Sequence, residues 1–369
     1  MDFSLGEELE AVRDLAREIF TDRATPERLR EIETSETRVD RKLWADLAAA
    51  GLLGTALPEE AGGAGLGTAA LCVLLEEQGR CVAPVPIWPA VVAARAVDAH
   101  GSERQRGTLL PAVADGTARP TLALEEFGPA DPLAPLTTAT ADGDDWRLSG
   151  TKAVVPSPAG AGQVLVTATT EAGTGLFLVA ADAAGVIWEH AETTSHDLAG
   201  QLTLDGALAE AVGAPGTGTV EWTVERAAVA LAAVQLGVAE GALRHAAGYL
   251  GERRQFGRPL ATFQAVQHQL ADCWIDIEAM RVTLWQAVTA LDDGEGAARA
   301  ALVAKWWATE GGLNVVHRVQ HVHGGIGVDT DYPVHRHFLW GKQISTTLGG
   351  AGADLSRLGA LLAREAVAS

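Results

Sequence analysis

The hydrophobic period of this chain changes twice, and that alone excludes most architectures. From Leu5 to about Ala118 apolar residues recur at steps of three or four; Leu5, Leu9, Val12, Leu15 and Ile19 mark the first such segment. Near Arg119 the pattern gives way to short strand-like runs separated by polar turns, and this lasts to about Gly218. From Trp222 onward helical spacing returns. A chain written in this order places a β-domain between two helical parts. The predicted domains are 1–118 (N-terminal helical), 119–220 (middle β-domain, barrel-like) and 221–369 (a C-terminal four-helix bundle), a mainly α fold with an inserted β-domain.

Within that frame, strands are expected at Thr121–Leu124, Trp146–Leu148, Ala153–Val155, Val164–Thr167, Leu176–Val179, Val186–Trp188 and Leu202–Leu204. Gly143-Asp144-Asp145, Gly173-Thr174-Gly175 and Asp205-Gly206 are the turn signals. Helices are expected over Leu5–Phe20, Leu43–Leu53, Thr68–Gly79, two more to about Val113, then about Ala297–His321 and Asp354–Val367. Thr223 reads as an N-cap. Val266, Leu270, Cys273, Ile277, Met280, Leu284, Val288 and Leu291 form one stripe, read as bundle core.

The charge balance removes whole classes of partner. Acidic residues outnumber basic ones, 48 to 28, for a formal charge of −20, the wrong field for nucleic acid or an anionic membrane surface. No apolar run reads as a bilayer span, and Met1-Asp2-Phe3-Ser4 shows no signal-peptide pattern. Cys72, Cys81 and Cys273 have no paired spacing, which suits free thiols in a reducing cytoplasm.

Two stretches carry chemistry. In the first, Glu252-Arg253-Arg254-Gln255-Phe256-Gly257-Arg258-Pro259-Leu260 runs into Thr262-Phe263-Gln264. It reads as a joint between two long helices, with Gly257 and Pro259 stopping the first and Thr262 capping the second. Three arginines at helix ends in an acidic chain suit a phosphate, although a charge run is often only a solvated turn. The second is Gln320-His321-Val322-His323-Gly324-Gly325-Ile326-Gly327, followed by Tyr332-Pro333-Val334-His335-Arg336. Its glycines let backbone approach a ligand that side chains would block. His317 and His321, four apart, could share a helix face, but Arg-Val-Gln lies between them and cationic Arg318 and Arg336 flank them. No metal site is therefore assigned.

Arg-x-x-Phe-Gly-x-Pro-Leu-x-x-x-Gln closely resembles the signature of the acyl-CoA dehydrogenase family. The histidine–glycine stretch is similar to that family's Gln-x-His-Gly-Gly-x-Gly … Tyr-Pro-x-x-Arg run, with His321 standing where the family has glutamine. Leu57-Pro58-Glu59-Glu60-Ala61-Gly62-Gly63-Ala64-Gly65-Leu66-Gly67 resembles its Pro-Glu-Glu-x-Gly-Gly-x-Gly loop; by spacing alone it is not a dinucleotide fingerprint. The resemblance covers essentially the whole chain. It implies an FAD-dependent α,β-desaturation of an acyl-CoA thioester, with Arg253, Phe256, Gln264, His321, His323, Gly324 and Gly325 as cofactor-binding residues. In the family these positions hold the FAD pyrophosphate and flavin edge across a subunit interface.

The departures from the family pattern are equally specific. The family's general base is a glutamate after the Tyr-Pro segment; that place falls between Leu348 and Gly350, and no acid stands there. An alternative base position maps to Ala227 or Val234. The family's Thr-Glu-Pro-Gly-Ala-Gly-Ser becomes Glu125-Glu126-Phe127-Gly128-Pro129-Ala130-Asp131, putting a carboxylate near flavin O2, where negative charge develops. Its Trp-Ile-Thr becomes Val154-Val155-Pro156, which lacks a donor for N5. No catalytic residue is assigned. The resemblance then implies the degenerate subunit of an actinobacterial-type heteromeric (α2β2) dehydrogenase of lipid or steroid catabolism, cytoplasmic, with the acyl-CoA held mainly by a homologous partner subunit. The alternatives are a homomeric dehydrogenase using Glu225 or another unaligned base, and a flavin-free scaffold of the same fold.

Overall fold

In the computed structural model, residues 5–128 and 131–368 are described. Met1–Ser4 and the Pro129-Ala130 part of the aligned flavin loop lie outside them. The chain divides into two compact units. One comprises residues up to Pro26, Cys72–Ala83 and everything from Ala228 on; the other comprises Glu27–Leu71 and Pro84–Ala227.

The first helices are α1 (Glu7–Arg23), α2 (Pro26–Glu33), α3 (Arg41–Ala49), α4 (Gly67–Cys81), α5 (Ile87–His100) and α6 (Glu103–Ala114). α2 was not expected. α3 ends earlier than predicted because Gly51 turns left-handed (φ 74°), and Leu52–Gly54 continues as a 3₁₀ turn. Asp40 caps α3, accepting from the Lys42 and Leu43 amides. Arg28 grips the same carboxylate at 2.6 and 2.7 Å. α6 opens with a capping box between Ser102 and Gln105. Among the glycines of Leu57–Gly67, Gly63 serves packing, since a Cβ there would stand 2.1 Å from the Leu57 carbonyl oxygen, while Gly62, Gly65 and Gly67 take positive φ.

The β-domain contains β1 (Thr121–Ala123), β2 (Thr138–Asp142), β3 (Asp145–Pro156), β4 (Gln163–Thr170), β5 (Gly173–Ala180), β6 (Val186–Glu192) and β7 (Leu198–Val212). Pairing runs β4–β2–β3–β7–β5 and returns through β5–β4, so the sheet closes on itself, with β1 and β6 added at the side. Leu148, Val155, Val164, Val166, Phe177, Val179, Leu202 and Leu204 fill the interior. The two strands predicted at 146–155 are one, β3, broken by a register shift between Lys152 and Val155 where Val154 takes φ 49°.

After the barrel come α7 (Thr219–Glu252), the two-residue strands β8 (Arg254–Gln255) and β9 (Arg258–Pro259), then α8 (Gln264–Asp293), α9 (Ala297–His323), α10 (Val334–Ile344) and α11 (Ala351–Ala368). α10 is a fifth helix in a set expected to hold four. Thr223 lies inside α7, its hydroxyl donating to the Thr219 carbonyl instead of capping. The predicted stripe of α8 is buried from Cys273 to Leu291, while Val266 and Leu270 are half-buried. By length and hydropathy α7 could cross a bilayer, contrary to the expectation that no run could; 83% of its most apolar window is buried, which makes it a core helix.

Small residues bring α4 and α7 together in the first unit. A Cβ at Gly237 would stand 1.9 Å from the Glu76 carbonyl oxygen, and one at Gly79 would stand 2.1 Å from that of Val234. The backbones therefore touch. Beside this contact is a charge network that sequence reasoning missed. Arg17 donates twice to buried Glu77, at 3.1 and 2.7 Å. Arg80 reaches Glu76, Glu77 and Glu240, and Arg281 reaches Glu76 and Glu240. It lines a cavity of about 480 Å³ that also touches Val73 and Trp285.

Candidate functional site

The arginine joint is a β-hairpin rather than a helix stop at Gly257 and Pro259. α7 ends at Glu252, and β8 pairs with β9. The connecting turn is Phe256-Gly257, with φ 52° and 80°. Positive φ at both central residues is the geometry whose twist suits a two-residue hairpin. Thr262 does not cap α8: its hydroxyl donates to the Pro259 carbonyl, and Phe263 is the N-cap residue. Arg253, Arg254, Phe256, Arg258 and Gln264 are all exposed. Phe256 is 91% exposed, touching Phe263 edge-on at 6.1 Å. The Arg258 guanidinium lies over the Phe263 ring at 4.1 Å. Among the described residues, Arg253, Arg254 and Arg258 form no ion pair with a carboxylate.

The histidine–glycine stretch ends α9 and turns through a 3₁₀ segment, Gly324–Val328. Gly324 takes φ 63° and ψ −142°, a conformation closed to side-chain-bearing residues. Cβ atoms at Gly324 or Gly325 would meet nothing within 4 Å, so this backbone is open. Gly327 differs: a Cβ there would press on Gln320 at 3.0–3.2 Å. His321 is exposed at the helix end. His323 is 4% exposed, and its ring faces inward. Its Nδ1 donates to the Val319 carbonyl at 2.7 Å, which leaves Nε2 toward the Tyr332 hydroxyl at 3.5 Å. Burial lowers its pKa. His317 packs edge-on against Phe338 at 4.9 Å.

The two stretches, about 70 residues apart in sequence, come to one end of the bundle. Arg318 pairs with Asp276, which lays the late part of α9 beside the early part of α8. Tyr249, on the last full turn of α7, stacks on His323 at 5.0 Å and 16°. Its carbonyl accepts the Arg253 amide at 2.8 Å. An exposed cationic hairpin and an open glycine turn thus share one base.

The Leu348–Gly350 position, where the resemblance places the family's glutamate, is structurally occupied. Leu348 is buried with φ 60°, and Gly349 follows at φ 100°. Arg357 donates to the Leu348 carbonyl at 2.7 Å, and the buried Lys305 ammonium lies 3.5 Å from that of Gly349. Lys305 also donates to Thr309 at 2.8 Å and lies 3.7 Å from Asp354. Ala227 and Val234 are buried apolar residues. Glu225 is half-buried, and desolvation raises its pKa.

In the β-domain, Glu125 is half-buried and its carbonyl accepts the Ala153 amide at 2.8 Å. Glu126 is the anchor that sequence reasoning overlooked. It accepts from the Leu136 amide (2.6 Å), the Thr137 amide (2.9 Å) and hydroxyl (2.6 Å), and the Lys152 ammonium (2.7 Å). Burial alone would raise its carboxyl; these bonds outweigh burial and hold it below the usual range. Burial pulls Lys152 down to about 8 despite its partner. Pro156 ends β3 with its carbonyl accepting from the Thr121 hydroxyl at 2.5 Å.

Comparison with known proteins gives a consistent picture. The description "Acyl-CoA dehydrogenase, N-terminal domain" matches residues 6–117, and "Acyl-CoA dehydrogenase, C-terminal domain" matches residues 215–354. The chain is 39% identical over 376 residues to acyl-CoA dehydrogenase FadE27 of Mycobacterium tuberculosis, covering 98% of this chain and 99% of that one. Among solved structures, a Tcur3481-Tcur3483 steroid ACAD variant matches with 67% identity and TM-score 0.96, over 99% of this chain and 100% of that one. The ChsE4-ChsE5 complex from Mycobacterium tuberculosis matches with 38% identity and TM-score 0.93, over 98% and 99%.

Proposed function

The chain belongs to the acyl-CoA dehydrogenase family, and on that basis we propose that it completes the FAD site of a heteromeric (α2β2) dehydrogenase without supplying the catalytic base. Members of this family are FAD-dependent oxidoreductases. The observation that carries the proposal is the shared base of the Arg253–Arg258 hairpin and the Gly324-Gly325 turn. Donors and open backbone meet there, while Leu348–Gly350 carries no acid.

The residues present fit a dinucleotide. A pyrophosphate needs donors not already consumed by carboxylates, and Arg253 offers one. Gly324 and Gly325 leave the space that a side chain would fill. Exposed Phe256 and Gln264 stand beside them, on an edge that a second subunit can bring against its own cofactor. His321 and the His323 backbone border the turn. When bound, FAD supplies the acceptor for the substrate's β-hydride. This chain binds and orients one edge of it. The proton from the α-carbon leaves to a carboxylate of the homologous partner, which also holds most of the acyl-CoA. The two complexes matched above support an unlike partner and a steroid or other lipid thioester. The division 1–118, 119–220 and 221–369 is retained as a proposal for the domains.

One rival has an observation in its favour. The raised pKa of Glu225 is what a general base uses, and a homomeric enzyme could employ it. Co-expression with a homologous subunit, followed by flavin spectra and native mass, separates the two readings. The proposal expects one FAD per heterodimer and weakened FAD retention in Arg253→Ala. A yellow, active homomer whose Glu225→Gln variant is dead would replace it.

A further inference from the structure

We propose that Tyr249, His323 and Tyr332 are positioning residues, a ring clamp that sets the spacing between the arginine hairpin and the Gly324-Gly325 turn for a dinucleotide pyrophosphate. The inference rests on the FAD reading above and assigns a role to the buried and half-buried rings at the base of that edge. Three helices end at this point: α7 delivers Tyr249, α9 delivers His323, and Tyr332 stands just ahead of α10. Tyr249 and His323 lie nearly parallel at 5.0 Å. Tyr332 meets Tyr249 edge-on at 6.0 Å and His323 at 5.4 Å, tilted by 54°. The one residue between His323 and open Gly325 is Gly324, and Arg253 hangs from the Tyr249 carbonyl. A shift of either ring therefore moves one half of the ligand edge against the other.

The hydrogen bonds fix the chemistry of the clamp. With Nδ1–H donated to Val319, neutral His323 presents Nε2 as an acceptor toward the Tyr332 hydroxyl. A second proton would put an unpaired charge among aromatic rings. His245 faces His323 from α7, with Arg244 beside His245; Glu252 and Tyr249 act on Tyr332 from the same helix, and the His335 Nδ1–H donates to the Tyr332 carbonyl at 2.7 Å. His323 in turn opposes charge on His245. Hexagonal Phe can replace the stacked ring without titrating, whereas Ala cannot stack.

The test uses the assembled complex and measures FAD dissociation by flavin fluorescence, with melting temperature as the control for folding. His323→Ala should weaken FAD by about tenfold, the scale set by loss of an aromatic pair and a hydrogen bond. His323→Phe should stay within about twofold of the parent at pH 7.5. The parent should also lose affinity as the pH falls below about 6.5, and His323→Phe should lose distinctly less. Unchanged FAD affinity in His323→Ala, in a complex that Arg253→Ala has weakened, would overturn the clamp alone. Unchanged affinity in Arg253→Ala would overturn the FAD reading beneath it. If His323→Ala does not assemble, the pH response of His323→Phe decides: an acid-side loss equal to the parent's overturns the clamp.

Discussion

Removing the Glu126 carboxylate should cost the protein roughly 3–4 kcal/mol at pH 7, estimated from its partners. Two contributions make up that figure. The first is Lys152, fully buried and already drawn down to about 8. Without its partner it can shed its proton, and moving from about 8 to neutral pH limits that cost to about 1.4 kcal/mol. The second is Thr137, buried, whose amide and hydroxyl both donate to Glu126. Leaving two buried donors without an acceptor costs about 1 kcal/mol or more each. The Leu136 amide adds little, because that residue is exposed and water can replace the carboxylate. Glu126→Gln keeps an acceptor and should lose less, about 2 kcal/mol. The double variant Glu126→Leu/Lys152→Met removes both charges and should recover part of the loss, since a buried pair often does no better than apolar packing. Urea denaturation of the parent, Glu126→Leu, Lys152→Met and the double variant gives the coupling energy. Hydrogen exchange over 131–137 reports whether the loop is released. A Glu126→Ala variant within about 0.5 kcal/mol of the parent, the scatter of additive sites, would refute this accounting.

Two further outcomes are expected. Gly327→Ala should destabilise the fold by about 1–3 kcal/mol, since its Cβ would press on Gln320 at 3.0 Å; Gly325→Ala should leave the melting temperature unchanged and lower FAD retention instead, which thermal melts and flavin content of the complex distinguish. Stability should fall with acid because His337 is buried and its pKa is lowered to about 3 by burial and by His245. Between about 3 and about 6.5 the unfolded chain binds the extra proton, so this contribution is intact above about 6.5 and drains away toward 3, at most roughly 4–5 kcal/mol. Urea melts across that range should show the slope, and His337→Phe should reduce it.

Much of this architecture was legible because its signal is periodic. The α8 stripe is long enough that its buried face follows from spacing, and the barrel strands follow from apolar runs between glycine turns. β2 was missed because Thr138-Ala139-Thr140-Ala141 carries little hydrophobic contrast. α10 was missed because His335, Arg336 and His337 interrupt any apolar period, yet all three are buried. The hairpin was hidden because Phe256 holds a left-handed position usually given to Asn, Asp or Gly. At the site, sequence named the arginine joint and the glycine turn but neither the hairpin geometry nor their joining through Tyr249, which depends on α7 and α9 ending together. The Glu126–Lys152 and Arg17–Glu77 pairs were equally out of reach, because partners 26 and 60 residues apart leave no local pattern.

The central claim is that this chain completes a site it cannot run. Steady-state desaturation of a panel of acyl-CoA thioesters, including steroid-linked ones, tests it most directly when measured with this chain alone, with the homologous subunit, and with that subunit's catalytic glutamate replaced by glutamine. The account predicts turnover only in the intact pair and its loss on the partner's substitution. Desaturation by this chain alone at a rate near that of the pair, or full activity after the partner's glutamate is removed, would contradict it.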